Sequence, residues 1–173
     1  MLNRIRDEAR RLEYQCLWAA ERHYAAETPL YALNHWLGIP SAVLAAIAGT
    51  TAFTTFQHHE WVTAVIALSA SVLTSLLTFI DPYKKASVHH RIGRGFEALY
   101  HDAGILARFE VERDNPNLPG LDAKLEALVT KFNELLQSSP GLPGHAYRTA
   151  AKNLATSKGE VLRVPDDYIG KPS

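Results

Sequence analysis

The sequence predicts an all-α membrane protein: a two-helix transmembrane hairpin with an N-terminal amphipathic helix and a C-terminal cytosolic helical bundle. Three observations predict it. No Asp, Glu, Lys or Arg occurs between Glu27 and Glu60, and none again before Asp81, although the 173-residue chain carries 18 basic and 18 acidic residues. The uncharged stretch resolves into two apolar runs, 36–56 and 61–80, each with about the 20 residues a helix needs to cross a hydrocarbon core of roughly 30 Å. The flanking segments are polar, and their apolar residues recur at alternating three- and four-residue steps, the seam spacing of packed helices.

The N-terminal segment, 1–28, places Leu2, Ile5, Ala9, Leu12, Cys16, Ala19 and His23 on one helix face. Thr28-Pro29 has the form of an N-cap followed by a first-turn proline, so the chain is expected to bend or restart there. The hairpin occupies 29–81, its spans joined by the short polar bridge Gln57-His58-His59-Glu60, with Pro40 a candidate kink in the first span. Tyr31, Trp36 and Trp61 stand where interfacial aromatic anchors belong. The first run begins after a charged segment, which argues against a signal peptide. The bridge lacks Lys and Arg, whereas Arg4, Arg6, Arg10, Arg11 and Arg22 precede the first span and Lys84, Lys85, Arg91 and Arg94 follow the second. Both termini are therefore expected in the cytoplasm.

Residues 82–156 read as cytosolic helices. Asp81-Pro82 repeats the cap-then-proline signal, and a helix from about Pro82 to Arg113 carries Ile92, Phe96, Leu99, Ala103 and Leu106 on one seam. The run from Asp114 to Gly120 breaks it. Leu121, Leu125, Leu128, Phe132 and Leu135 mark a further helix suited to antiparallel pairing, and Ala146 to Thr156 a short one. Residues 157–173 are expected to be irregular.

Zero formal net charge gives no electrostatic ground for nucleic-acid binding, and one cysteine excludes an internal disulfide and a Cys-built zinc site. Cys16 lies on the apolar seam, a packing position rather than that of a nucleophile. The adjacent pairs His58-His59 and His89-His90 would point their side chains apart on a helix, and no HExxH spacing occurs, so no metal is expected. Gly93-Arg94-Gly95 lacks the strand and third glycine of a dinucleotide loop. No cofactor and no enzymatic activity are expected.

At about 100° per residue, Ala64, Ala67, Ser71, Thr74, Ser75 and Thr78 share one face of the second span, with Val62, Val65, Ile66, Val72, Leu73, Leu76, Leu77 and Ile80 opposite. Several copies could use the hydroxyl face to line a hydrated passage with the aliphatic side in lipid, and Glu60 and Asp81 at its mouths would favour cations. The same face could instead pack against the first span. The first span has a small-residue packing stripe of its own: Gly38, Ala42, Ala45, Gly49 and Ala52.

The segments LEYQCLWAAERHY, LGIPSAVLAAIAGTTAF, TFIDPYKKASVHHRIG and FNELLQSSPGLPGHAY, spread from Leu12 to Tyr147, together resemble the SLATT family of bacterial two-transmembrane effector domains. That resemblance implies a pore-forming or membrane-disrupting effector in anti-phage defence, in the inner membrane. It also implies a sensor partner encoded nearby, such as a nucleotide-second-messenger synthase; a homo-oligomer is expected because one hairpin encloses no channel. It carries over no catalytic residues. The rival expectation is a non-conducting scaffold that recruits a cytosolic partner through the seams at Leu2 to His23 or Leu121 to Leu135.

Overall fold

The computed structural model describes residues 1–53, 60–111 and 117–157, apart from the side chains of 51–53, 60, 110 and 157. Among the described residues every regular element is helical: α1 (Leu2–Phe53), α2 (Glu60–Ile80), α3 (Pro82–Ile105) extended by a π-helical turn (Leu106–Glu110), α4 (Leu118–Ser138) and α5 (Gly144–Ser157). The bridge residues Gln57, His58 and His59 and the tail from Lys158 lie outside the described residues. The chain divides into two compact units, Met1–Ala25 with the residues from Ile92 onward, and Ala26–Arg91.

The first unit is built on the expected seams. Ile5, Ala9, Leu12 and Cys16 of α1 form one buried cluster with Leu99, Ala103, Leu106, Ala107, Val111, Leu121 and Leu128, and Leu2, Leu125, Phe132 and Leu135 pack against it. His23 is buried and stacks on Phe96 at 5.8 Å, and Phe96 meets Phe132 edge-on at 5.5 Å. Both seams proposed for partner recruitment are thus consumed within the chain. At Gly95 an added Cβ would lie 3.1 Å from Leu135, so the absence of a side chain sets how closely α3 and α4 approach. The helix α5 adds Ala146 and Ala150, both fully buried, and Tyr147, whose ring lies 5.1 Å below the Arg22 guanidinium.

The regular helix expected from Pro82 to Arg113 is interrupted by the π-turn, and the seam explains why. After Leu99, Ala103 and Leu106, the four-three rhythm would bring Glu110 next into the core. A turn wider by one residue brings Val111 there instead, 4% exposed. The same turn sets Arg108 to donate from Nη2 to Oε1 of Glu13 at 2.6 Å, above Gly104, where an added Cβ would sit 2.9 Å from that oxygen. The Glu13 side chain is only 6% exposed, so Arg108 is what compensates a buried carboxylate. Farther on, α4 starts inside the breaking run: Asn117 caps Gly120 N–H at 3.4 Å and Pro119 occupies the first turn. It ends at Ser139, extended because Pro140 follows.

The restart offered as one expectation at Thr28-Pro29 does not occur, since α1 runs unbroken through Pro29 and Pro40. Ending the helix would orphan four carbonyls and four N–H groups. Running through a proline forfeits one bond and strains one turn, about 3 kcal/mol, the smaller loss. The break falls instead between α2 and α3, at Asp81, whose φ of 43° is left-handed. Proline disfavours the right-handed helical region for the residue before it, and Asp tolerates the left-handed one. Asp81 serves both helices: its N–H donates to Leu77 O at 3.0 Å, and its Oδ1 accepts from Lys84 N–H at 3.3 Å.

Two helices are long and apolar enough to cross a membrane, and only 6% of each apolar window is buried within the chain. A core helix of a water-soluble fold would be covered on most sides.

Two outcomes follow from the first unit. Replacing Arg108 with alanine should lower stability by about 1–3 kcal/mol in thermal or denaturant unfolding, with part recovered when Glu13 is also made leucine. Burial, and then Glu13, push the Cys16 thiol from its ordinary 9.0 up to about 12. The native thiol therefore stays protonated at neutral pH, and alkylation by iodoacetamide should be slow until the chain unfolds. Because the folded value is the higher one, this contribution to stability is full below pH 9 and lost as pH rises toward 12.

Candidate functional site: the hydroxyl face of the apolar unit

Within the unit Ala26–Arg91, α1 and α2 meet along faces in four-three rhythm. On α1 these are Asn34, Leu37, Ser41, Leu44 and Ala48, and on α2 Ile66, Ala70, Leu73, Leu77 and Ile80, all buried or half-buried. The polar clasp between them is Ser41, 6% exposed, whose hydroxyl lies 2.6 Å from Thr74 Oγ1 and 3.3 Å from Ala70 O. Gly38 faces Leu77, with 3.8 Å between an added Cβ and Leu77 Cδ2. Tyr31 and Tyr83 touch edge to face at 5.9 Å, and Glu27 holds His90 Nδ1 3.1 Å from both carboxylate oxygens. Partner numbers fall on α2 and α3 as they rise on α1, so the helices run antiparallel.

Each face noted in the sequence has a definite place. Ala64, Ala67, Ser71, Thr74, Ser75 and Thr78 are exposed, so the contact with α1 does not cover the hydroxyl stripe as a whole; only Thr74 reaches across to Ser41. The aliphatic side expected to face lipid is divided. Ile66, Leu73, Leu77 and Ile80 turn toward α1, while Val65, Val72 and Leu76 are exposed, Val62 being half-buried. A wheel cannot locate the partner helix, and the apolar arc of α2 is wide enough to serve both. Of the small-residue stripe on α1, Gly38 is half-buried but Ala42, Ala45 and Gly49 are exposed. That stripe does not make the contact within the chain. Ala52 and Glu60 have side chains outside the described residues, and Asp81 is exposed at the far end of α2.

Stripe and α1 border a shared groove of about 730 Å³, lined by Ala45 and Ala48 of α1 and by Ala67, Ala70, Ser71, Thr74, Ser75, Thr78 and Phe79 of α2. Its hydroxyl chemistry is mostly internal. Thr74 donates to Ala70 O at 2.8 Å, Ser75 to Ser71 O at 2.8 Å and Thr78 to Thr74 O at 2.9 Å. Such bonds to the preceding turn let a hydroxyl residue sit on a helix in apolar surroundings, leaving the oxygen as an acceptor. Ser71 differs: its hydroxyl makes no hydrogen bond among the described residues. An unmatched hydroxyl in a dry setting costs roughly 1–3 kcal/mol, so this position calls for water or a group from another molecule.

The clasp residue Ser41 was not singled out in the sequence, although its signal was there. It is the hydroxyl-bearing member of the four-three series from Asn34 to Ala48, a face distinct from the small-residue stripe. Elsewhere in the unit, burial pushes the His89 pKa down and Glu27 opposes it, so His89 favours the neutral imidazole. No cluster of three or more His, Cys, Asp or Glu side chains suited to a metal ion occurs among the described residues.

No family model, curated protein or solved structure matches the chain.

The clasp is testable by a double-mutant cycle on Ser41→Ala and Thr74→Ala. A coupling of about 0.5–1.5 kcal/mol in unfolding is expected, and additive single losses would remove the clasp.

Proposed function

We propose that this chain is a membrane effector of a bacterial anti-phage or conflict system. It inserts in the inner membrane as a two-helix hairpin with both termini in the cytoplasm, and its copies assemble and permeabilise the bilayer when a partner signals infection. The observation that carries the reading is the exposed hydroxyl face of α2, with Ser71 unmatched, on a helix otherwise as apolar as lipid requires. One chain covers neither that face nor the exposed part of the α1 stripe. A ring of copies would cover the second with helix contacts and hydrate the first. The resemblance of the segments between Leu12 and Tyr147 to SLATT effectors supports the biological setting and the existence of a sensor partner. Gating would be a change of packing, with no chemical step.

A non-conducting scaffold is the second reading. It is favoured by Ile105 and Phe109, 49% and 70% exposed on the first unit, which offer a partner the apolar contacts that the buried seams cannot.

The test is dye and ion release from liposomes containing the purified chain. Replacing Ser71, Ser75 and Thr78 with leucine spares the Ser41–Thr74 clasp and should abolish release while insertion persists. Undiminished release in that variant would remove the hydroxyl face as the passage. No release from wild type at any protein density, with recruitment lost on Phe109→Ser, would establish the scaffold.

A further inference from the structure

The end of the apolar unit where α2 passes into α3 carries an imbalance of charge that nothing among the described residues relieves. Its two carboxylates are engaged: Oδ1 of Asp81 accepts from Lys84 N–H, and Glu27 is held by His90 and is 13% exposed at the side chain. Its cations are not. Lys84, Lys85 and Arg91 are all exposed, and none pairs with a carboxylate among the described residues. Lys84 and Arg91, seven residues apart, project from one side of α3.

These cations begin one turn beyond the last residue of the apolar run and stand beside three exposed rings of the unit. Phe79 is 90% exposed, Trp36 78% and Tyr83 59%. Tyr83 is fixed against Tyr31, so this ring holds a set position on the helix pair instead of sweeping through solvent. Aromatic rings followed at once by unpaired cations match the order of layers in half a bilayer, hydrocarbon and then phosphate. Lysine and arginine stems extend along apolar surface while their heads reach the phosphate level.

We infer that the collar of Phe79, Tyr83, Lys84, Lys85 and Arg91 binds the headgroup of an anionic glycerophospholipid, the phosphate lying against the cations and the acyl chains beside Phe79. This rests on the membrane reading above. It adds to it a lipid selectivity that neither a pore nor a scaffold requires. Each basic residue near an anionic lipid surface multiplies binding several-fold, so three should give up to about a hundredfold preference over a zwitterionic lipid of the same acyl composition.

The experiment uses the full chain. Alkaline carbonate washing of membranes comes first, for wild type and for Lys84→Gln/Lys85→Gln/Arg91→Gln; both should stay in the pellet. Loss of wild type to the supernatant would overturn the membrane reading and this inference with it. The proteins are then purified in a neutral detergent and titrated with phosphatidylglycerol or phosphatidylcholine, following retained lipid by native mass spectrometry and the melting temperature. Wild type should bind phosphatidylglycerol ten- to a hundredfold more tightly, with the preference falling as salt is raised and lost in the triple variant. Equal binding of the two lipids, or a preference that survives the three substitutions, would overturn the headgroup site while leaving membrane insertion intact. Equal stabilisation by glycerol phosphate, which has no acyl chains, would overturn the lipid as its ligand. Should the triple variant fold poorly, Lys84→Arg/Lys85→Arg keeps the charge and should keep the preference; its loss there would likewise overturn the inference.

Discussion

The rest of the structure depends on a shortage of cover. Two apolar helices of this length would each need neighbours on most sides to be dry in water, and the chain supplies each with one face of contact. Everything else in Ala26–Arg91 accommodates that shortage. Charges are absent from both apolar runs, hydroxyl protons are returned to the backbone of their own helix, and one buried serine clasps the pair where they touch. Polar groups are used sparingly, and most hydroxyls of α2 are satisfied by their own helix.

The first unit solves the ordinary problem of burying a helical core. Its core is a single seam of alanines, leucines and aromatics, and the polar interactions at its edge hold elements in register: Glu13 with Arg108, Tyr24 donating to Glu97 at 2.7 Å, and Arg22 over Tyr147. Small residues set how closely the helices approach. A side chain at Gly93 would run into the Tyr24 ring, with only 2.8 Å available. Contacts of this kind fix geometry more than they add stability.

Much of this was legible in the sequence because periodicity reports burial directly. Leu2 to His23, Ile92 to Leu106 and Leu121 to Leu135 each form a face that one helix can bury, and each is buried or half-buried. What escaped are features that depend on a neighbour. The π-turn answers a seam that must pass over Glu110 to reach Val111, a demand visible only once α1 and α4 are in place. The continuity of α1 through Pro29 and Pro40 was hidden because a local breaker signal cannot weigh the loss of a whole helix terminus. The candidate site was half legible: the wheel identified the hydroxyl face as a set, but which side of α2 met α1 had to come from the Ser41–Thr74 contact, and Ser41 carries no signal apart from its rhythm.

The two sides of the antiparallel pair differ mechanically. On one side the backbone of α1 is a single helix, whose ladder gives up a bond at Pro29 and at Pro40 without stopping. On the other, α2 and α3 are joined through one residue, Asp81, whose side chain and backbone bonds terminate one helix and begin the next. Twist applied to α3 can therefore be absorbed in the two dihedral angles of that residue before it reaches the hydroxyl-bearing helix. The pair has a stiff rail and a pivoted one, and any rearrangement of the groove has its natural axis at the pivot.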